Sequence, residues 1–178
     1  MLQSENESLR DFEKIIDTYG EALMQLAYTY VKNKQQAEDI VQDVFVKAFE
    51  KRQDFRGDAS YQTYLYRMTV NRCHDHFRSW SFRNLFFSDK FVEGRQTGLS
   101  VEGEVIYNSL SNALGQEIMD LPIKYREVIV FFYFKEYSAQ QIAEILGVSI
   151  NTVKTRLRRA KEQLKVKMVH EVGEQYEG

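Results

Sequence analysis

Proline occurs once and glycine nine times in 178 residues, so the chain holds few of the residues that break helices. Lys, Glu, Gln, Leu and Ala fill it instead, all helix formers, and an all-α fold is the expectation. Cysteine also occurs once, at Cys73, which excludes an intramolecular disulfide framework and a multi-cysteine metal site and fits a reducing compartment. No run of about eighteen apolar residues is present, so no membrane span is expected. The first residues are acidic and polar, unlike a secretory signal, and the cytoplasm is the expected location. Apolar residues are not in short supply overall: 43% of the chain is hydrophobic and 28% charged, the balance of a sequence that can bury apolar faces. The length suits one ordinary domain or two small ones.

The formal net charge of −2 conceals alternation. Residues 1–55 carry −4, 56–95 carry +3, 96–137 carry −3, 138–168 carry +5, and the tail from 169 carries −3. Polyanion binding responds to local charge, so two separated basic segments suit a protein that touches nucleic acid at two places. Charge blocks that merely decorate solvated helix faces would look the same at this level.

Leu23, Leu26, Ala27, Tyr30 and Val31 fall at helical spacing, and Ala37, Ile40, Val41, Val44, Phe45, Ala48 and Phe49 continue it on a second helix joined near Asn33. After a short loop around Phe55 and Gly57, a third helix is expected from about Ser60 to Arg78, with Leu65, Met68 and Phe77 as its weaker apolar stripe. Periodicity fades from Trp80 to Gly103, where Gly94, Gly98 and Gly103 punctuate the chain. The expected division is a first bundle over 8–80, a flexible linker over 81–104 and a second bundle over 105–170. Roughly 24 linker residues can span about 80 Å, more than two DNA turns of about 34–36 Å. Phe82, Leu85, Phe86, Phe87 and Phe91 make the linker greasy, so part of it is expected to dock on a partner or on the first bundle. Helical periodicity resumes with Ile106, Leu110, Ala113, Leu114 and Ile118, and Pro122 marks the first turn of the next helix. Val128, Ile129, Phe131, Phe132 and Phe134 make that helix apolar nearly all round, so it is expected at the buried centre of the second bundle.

Ser138-Ala-Gln-Gln141 has the form of a capping box. The helix it opens carries Ile142, Ala143 and Leu146 and stops at Gly147; Ser149 can cap a second helix with Val153, Leu157, Ala160 and Leu164 on one face. Helix, tight glycine turn, helix is the pattern of a helix-turn-helix, whose second helix lies in the DNA major groove. Asn151, Thr152, Lys154, Thr155, Arg158, Arg159 and Lys161 then face outward, a donor-rich surface that can bond base edges or phosphates. A surface helix made basic for solubility is the competing reading. The small Ala143, Gly147 in the turn and five basic residues within 154–161 favour DNA.

Cys73, His74 and His76 form the one cluster suggestive of metal or nucleophilic chemistry. A His-x-His step lacks the i, i+4 facing of a helical metal site, and His170 stands alone. Neither a phosphate-cradling glycine loop nor a nucleophile elbow occurs. No catalytic residue, metal ligand or cofactor is expected, and the chain is not expected to be an enzyme.

Three stretches carry a resemblance to a known family: Ala37-Glu-Asp-Ile-Val-Gln-Asp-Val-Phe45, Tyr64-Leu-Tyr-Arg-Met-Thr-Val-Asn-Arg72, and Tyr125-Arg-Glu-Val-Ile129 with Ser138 to Ala160. From about Phe12 to Lys165 the chain resembles the extracytoplasmic-function sigma factors, the smallest group of the sigma-70 family. The resemblance implies a transcription initiation factor that binds core RNA polymerase, at the β′ clamp coiled coil and the β flap, and directs it to promoter DNA. It implies that Glu38, Asp39, Gln42, Asp43 and Phe45 contact polymerase. It implies that Phe55, Arg56, Tyr61, Tyr64, Arg67, Asn71, Arg72, Asp75 and Arg78 serve recognition and melting of the minus-ten element, with Tyr66 a further aromatic face; such faces stack on any unpaired base for about 1–3 kcal/mol each. Asn151, Thr152, Lys154, Thr155, Arg158 and Arg159 would serve the minus-thirty-five element. An anti-sigma factor, often membrane-bound in similar proteins, is the further partner implied. The rival reading is a two-domain regulator whose first bundle senses a ligand or dimerises while the helix-turn-helix holds an operator.

Overall fold

In the computed structural model, which describes residues 2–53, 55, 57, 59–87 and 113–174, every regular element is a helix. The chain divides into two compact units, residues 1–94 and 95–178. No helix among the described residues is long and apolar enough to cross a membrane.

The N-terminal unit is built from α1 (Leu2–Val31), α2 (Lys34–Glu50) and α3 (Tyr61–Phe87). α1 buries Leu23, Leu26, Ala27 and Tyr30 as expected, but it begins some twenty residues earlier and brings Phe12 edge-on to Phe45 and Phe49 at 6.2 and 5.0 Å. At Lys32 the backbone turns left-handed, with φ 53°, and Asn33 then caps α2 by accepting from the Gln36 amide at 2.9 Å. α2 buries Ala37, Ile40, Val41, Val44, Phe45 and Ala48, the expected face.

α3 differs from expectation in two ways. Its buried stripe is Leu65, Tyr66, Thr69, Val70 and Cys73, while Met68 and Phe77 are half-buried. Thr69 can sit in the core because its hydroxyl donates to the Leu65 carbonyl at 2.9 Å and is thereby satisfied. The helix also runs nine residues past Arg78, through stretches assigned above to the linker, because no glycine or proline intervenes before Phe87. Ser60 opens it, its hydroxyl accepting from the Thr63 amide at 3.1 Å. Residues 88–104 of the expected linker, Phe91 among them, and Ile106 and Leu110 at the start of the expected second bundle lie outside the described residues.

The C-terminal unit comprises α4 (Ala113–Met119), α5 (Ile123–Ile129), a π-helical turn (Val130–Phe134), α6 (Ala139–Leu146) and α7 (Ile150–Glu174). Pro122 is the residue just before α5 rather than within its first turn. The wide π turn corrects the expectation for the following aromatics. Phe131 points into the core, but Phe132, Tyr133 and Phe134 remain 37%, 50% and 44% exposed. Five-residue spacing, seen in the Lys135 amide donating to the Val130 carbonyl, rotates these side chains off the face that 3.6-residue periodicity assigns them.

The helix-turn-helix forms as the caps require. Ser138 accepts from the Gln141 amide at 3.3 Å while Gln141 Oε1 accepts from the Ser138 amide at 2.9 Å. Gly147 is left-handed at φ 65° and closes α6. Ser149 accepts from the Thr152 amide at 3.0 Å. A Cβ at residue 147 would meet nothing within 4 Å, so Gly147→Ala should cost only backbone strain, about 1 kcal/mol in urea unfolding. A much larger loss would contradict this open geometry.

Candidate nucleic-acid interface

In the N-terminal unit, Phe55, Tyr61 and Tyr64 converge. Their ring centroids are 5.0 Å (Phe55–Tyr61), 5.2 Å (Phe55–Tyr64) and 5.7 Å (Tyr61–Tyr64) apart. All three are half-buried, so each keeps ring surface accessible from outside. The Tyr61 phenol has its pKa raised, first by burial and then by Tyr64 and Tyr19, so it remains a neutral hydrogen-bonding group rather than an anion. Tyr66 does not join them. At 2% exposure it is a core residue whose hydroxyl contacts Gln62, and burial raises its pKa too.

From Tyr64 a polar stripe continues along one face of α3: Arg67, Asn71, Asp75 and Arg78, at offsets of 3, 7, 11 and 14, all exposed. Arg78 Nη2 donates to Asp75 Oδ1 at 2.6 Å, which mutes the charge at the far end of the stripe. Arg72 faces elsewhere, donating from Nε to Asp43 Oδ2 on α2 at 2.8 Å. Arg56 lies outside the described residues.

On α2, Asp39 and Gln42 are exposed and Glu38 and Asp43 half-buried, forming an acidic surface. Gln35 approaches Asp39 at 3.4 Å, and Lys34 stands 3.9 Å from Glu38. Phe45 is not on that surface: it is 8% exposed and packs on Phe12, so it supports the face from beneath. Val46 is instead the apolar residue presented there, at 58% exposure, among Asp39, Gln42 and Asp43 at helical spacing. Sequence reading missed it because a single valine does not break a polar face.

On α7, Val153, Leu157, Ala160 and Leu164 are buried, and Asn151, Lys154, Thr155, Arg158, Arg159 and Lys161 are exposed. Thr152 is half-buried, its hydroxyl 2.8 Å from that of Ser149, so part of its capacity serves the cap. Arg158 Nη1 donates to Glu162 Oε1 at 2.7 Å. Lys161 leans over the exposed rings of the π turn, 5.4 Å from the Tyr133 centroid and 6.0 Å from that of Phe132. The register of α7 is held by Arg156, which donates to the buried Glu127 carboxylate of α5 at 2.8 Å. A contact spanning 29 residues leaves no local signal, and sequence reading did not find it.

Cys73 is buried, and burial pushes its pKa up to about 12 against the opposing charge of Arg72, so at neutral pH it is a protonated, inert thiol. His74 packs edge-on to Tyr30 at 5.7 Å. Among the described residues no group of three or more His, Cys, Asp or Glu side chains is placed to hold a metal ion.

Residues 15–82 match the family described as Sigma-70 region 2, and residues 111–164 match Sigma-70, region 4. The chain is similar to the ECF RNA polymerase sigma factor SigW of Bacillus subtilis (strain 168), with 35% identity over 164 residues covering 86% of this chain and 87% of that protein. It is also similar to the RNA polymerase sigma factor SigV of the same organism, at 30% identity over 88% of this chain and 90% of that one. Among solved structures, the sigma factor RpoE in complex with the anti-sigma factor NepR from Bartonella quintana has a TM-score of 0.70 at 23% identity, covering 88% of this chain and 95% of that one. CnrH in complex with the cytosolic domain of CnrY has a TM-score of 0.65 at 24% identity, covering 91% and 90%. Those two likenesses speak for the all-helical fold.

Proposed function

The chain belongs to the extracytoplasmic-function group of the sigma-70 family, and from that premise we propose how its surfaces divide the work of a sigma factor. It is an RNA polymerase sigma factor, acting with core polymerase and promoter DNA. Residues 8–80 act as region 2, residues 105–170 as region 4, and residues 81–104 connect them. The acidic face of α2, with Glu38, Asp39, Gln42 and Asp43 around the exposed Val46, docks on the basic clamp hairpin of polymerase, and the C-terminal unit meets the flap. The ring trio takes unpaired bases of the minus-ten element while Arg67, Asn71 and Asp75 meet neighbouring base edges and phosphates. Asn151, Lys154, Thr155, Arg158 and Arg159 enter the major groove at the minus-thirty-five element. The work is binding and strand separation rather than bond chemistry, and it takes place in the cytoplasm. An anti-sigma factor holds the chain inactive; RpoE has such a partner in its solved structure.

The observation that carries this reading is the ring trio. Three aromatic side chains from a loop and the start of α3 lie 5.0–5.7 Å apart beside an exposed polar stripe, an arrangement suited to holding bases outside the duplex. An operator-binding regulator accounts for α6 and α7 but gives the trio no task, and both halves of the chain match sigma regions. Mixing the full chain with sigma-free bacterial polymerase tests the docking face: a stable complex is expected, and Asp39→Lys should weaken it by placing like charge against the hairpin. Equal affinity of wild type and variant would move the docking surface elsewhere.

Arg159 supplies a separate test. Its replacement by alanine should cost about 1–3 kcal/mol of promoter affinity, and the loss should depend on the base it faces. An equal loss on every DNA sequence, with a shallower salt dependence, would assign it to a phosphate.

A further inference from the structure

One ion pair ties the polymerase face of the N-terminal unit to its DNA face. Arg72 of α3 donates from both Nε, at 2.8 Å, and Nη2, at 2.5 Å, to a single oxygen, Oδ2, of Asp43 on α2. Neither partner is sealed in, since Asp43 keeps 47% and Arg72 33% of its side-chain exposure. The pair therefore withholds one anion from the surface assigned to polymerase and one cation from the helix assigned to DNA. Arg72 follows Asn71 directly, so a guanidinium released from Asp43 has the exposed stripe of α3 beside it. Its planar fork accepts a phosphate as readily as a carboxylate.

We propose that Asp43 and Arg72 form an exchangeable latch: a basic group of polymerase takes over the Asp43 carboxylate, and the freed Arg72 turns to a phosphate of the separated strand. The inference rests on the assignment of α2 to polymerase and α3 to DNA. Charge balances through the exchange. At rest there is one protein ion pair, with the polymerase cation and the phosphate each solvated; afterwards there are two ion pairs, one in each interface. An open pair of this kind is weak enough to trade, and the interfaces that replace it exclude water, where charge pairs count for more. Linkage then requires reciprocity: polymerase raises the affinity for single-stranded DNA, and single-stranded DNA raises the affinity for polymerase by the same factor. A fixed brace between α2 and α3 uses the same contact but predicts no such coupling.

The test uses the full chain as wild type, Asp43→Asn, Arg72→Gln and the double variant, titrated against fluorescent single-stranded oligo-dT across a range of salt. Each variant is checked by thermal melting, with Asp43→Ser as the alternative should Asp43→Asn fold poorly. Without polymerase, Asp43→Asn should bind the oligonucleotide several-fold more tightly than wild type. Its dependence of log affinity on log salt should steepen by about 0.7, the share of one added phosphate contact on a single strand. The double variant should lose both gains. With saturating core polymerase, the enhancement over the free chain should be smaller in Asp43→Asn than in wild type. If wild type binds both polymerase and oligonucleotide while Asp43→Asn changes neither affinity nor slope, the pair is a brace and the latch is overturned. A wild-type chain that binds neither removes the assignment of the two helices, and the latch with it.

Discussion

Glu127→Ala is expected to destabilise the C-terminal unit by about 3 kcal/mol, because it strands a guanidinium against an apolar core. Glu127 is 3% exposed and receives Arg156 from α7 at 2.8 Å. Losses of about 3–5 kcal/mol are usual when one member of a buried pair is removed; the lower end applies because Arg156 is 25% exposed and can reach water. The functional consequence exceeds the loss of stability. Leu157 and Val153 flank Arg156 on the buried side of α7, so a helix that rotates to solvate Arg156 carries Lys154, Arg158 and Arg159 out of register. Urea unfolding followed by a probe in the C-terminal unit measures the first effect, and duplex binding below the transition measures the second. Glu127→Gln, which keeps an acceptor, should lose less of both.

Tyr61→Ala combined with Tyr64→Ala is expected to abolish strand opening while leaving duplex binding through α7 intact. Base stacking on an aromatic side chain is worth about 1–3 kcal/mol, and removing two such rings withdraws several kcal/mol from a state whose bases have left their own stack. The two losses should not add simply. Tyr61 and Tyr64 touch each other and Phe55, so each single variant also loosens the remaining rings. Permanganate reactivity of thymines near the start site reads the opening, and Tyr64→Trp, which restores a larger stacking face, should recover it. Opening that survives in the double variant would remove the trio from the melting step.

Where structure is dictated by near neighbours in sequence, it was legible. The caps at Ser138, Gly147 and Ser149 are three- and four-residue devices, and each sits where its pattern places it. The same holds for the inward faces of α2 and α7, which follow a 3.6-residue repeat. In α3 the repeat is disguised, because Thr69 and Cys73 serve as core residues and Tyr66 spends its ring inside. The aromatic run at Phe131 to Phe134 misled for a different reason: a π turn shifts the angular step, and three rings end outside. Pairs between elements, such as Asp43 with Arg72 and Glu127 with Arg156, have no sequence signature at all. The residues expected at nucleic acid were named from residue type, helical spacing and family resemblance, whereas the convergence of Phe55, Tyr61 and Tyr64 required three-dimensional placement of a loop against the start of α3.

The most direct test is transcription by purified components. Core polymerase freed of its own sigma subunits, given this chain and a promoter from its host, should produce transcripts from one defined start. Deletion of either promoter element should abolish them, since α3 and α7 must both be engaged. Transcripts that never form, from a chain that still holds duplex DNA through α7, would contradict the account at its centre.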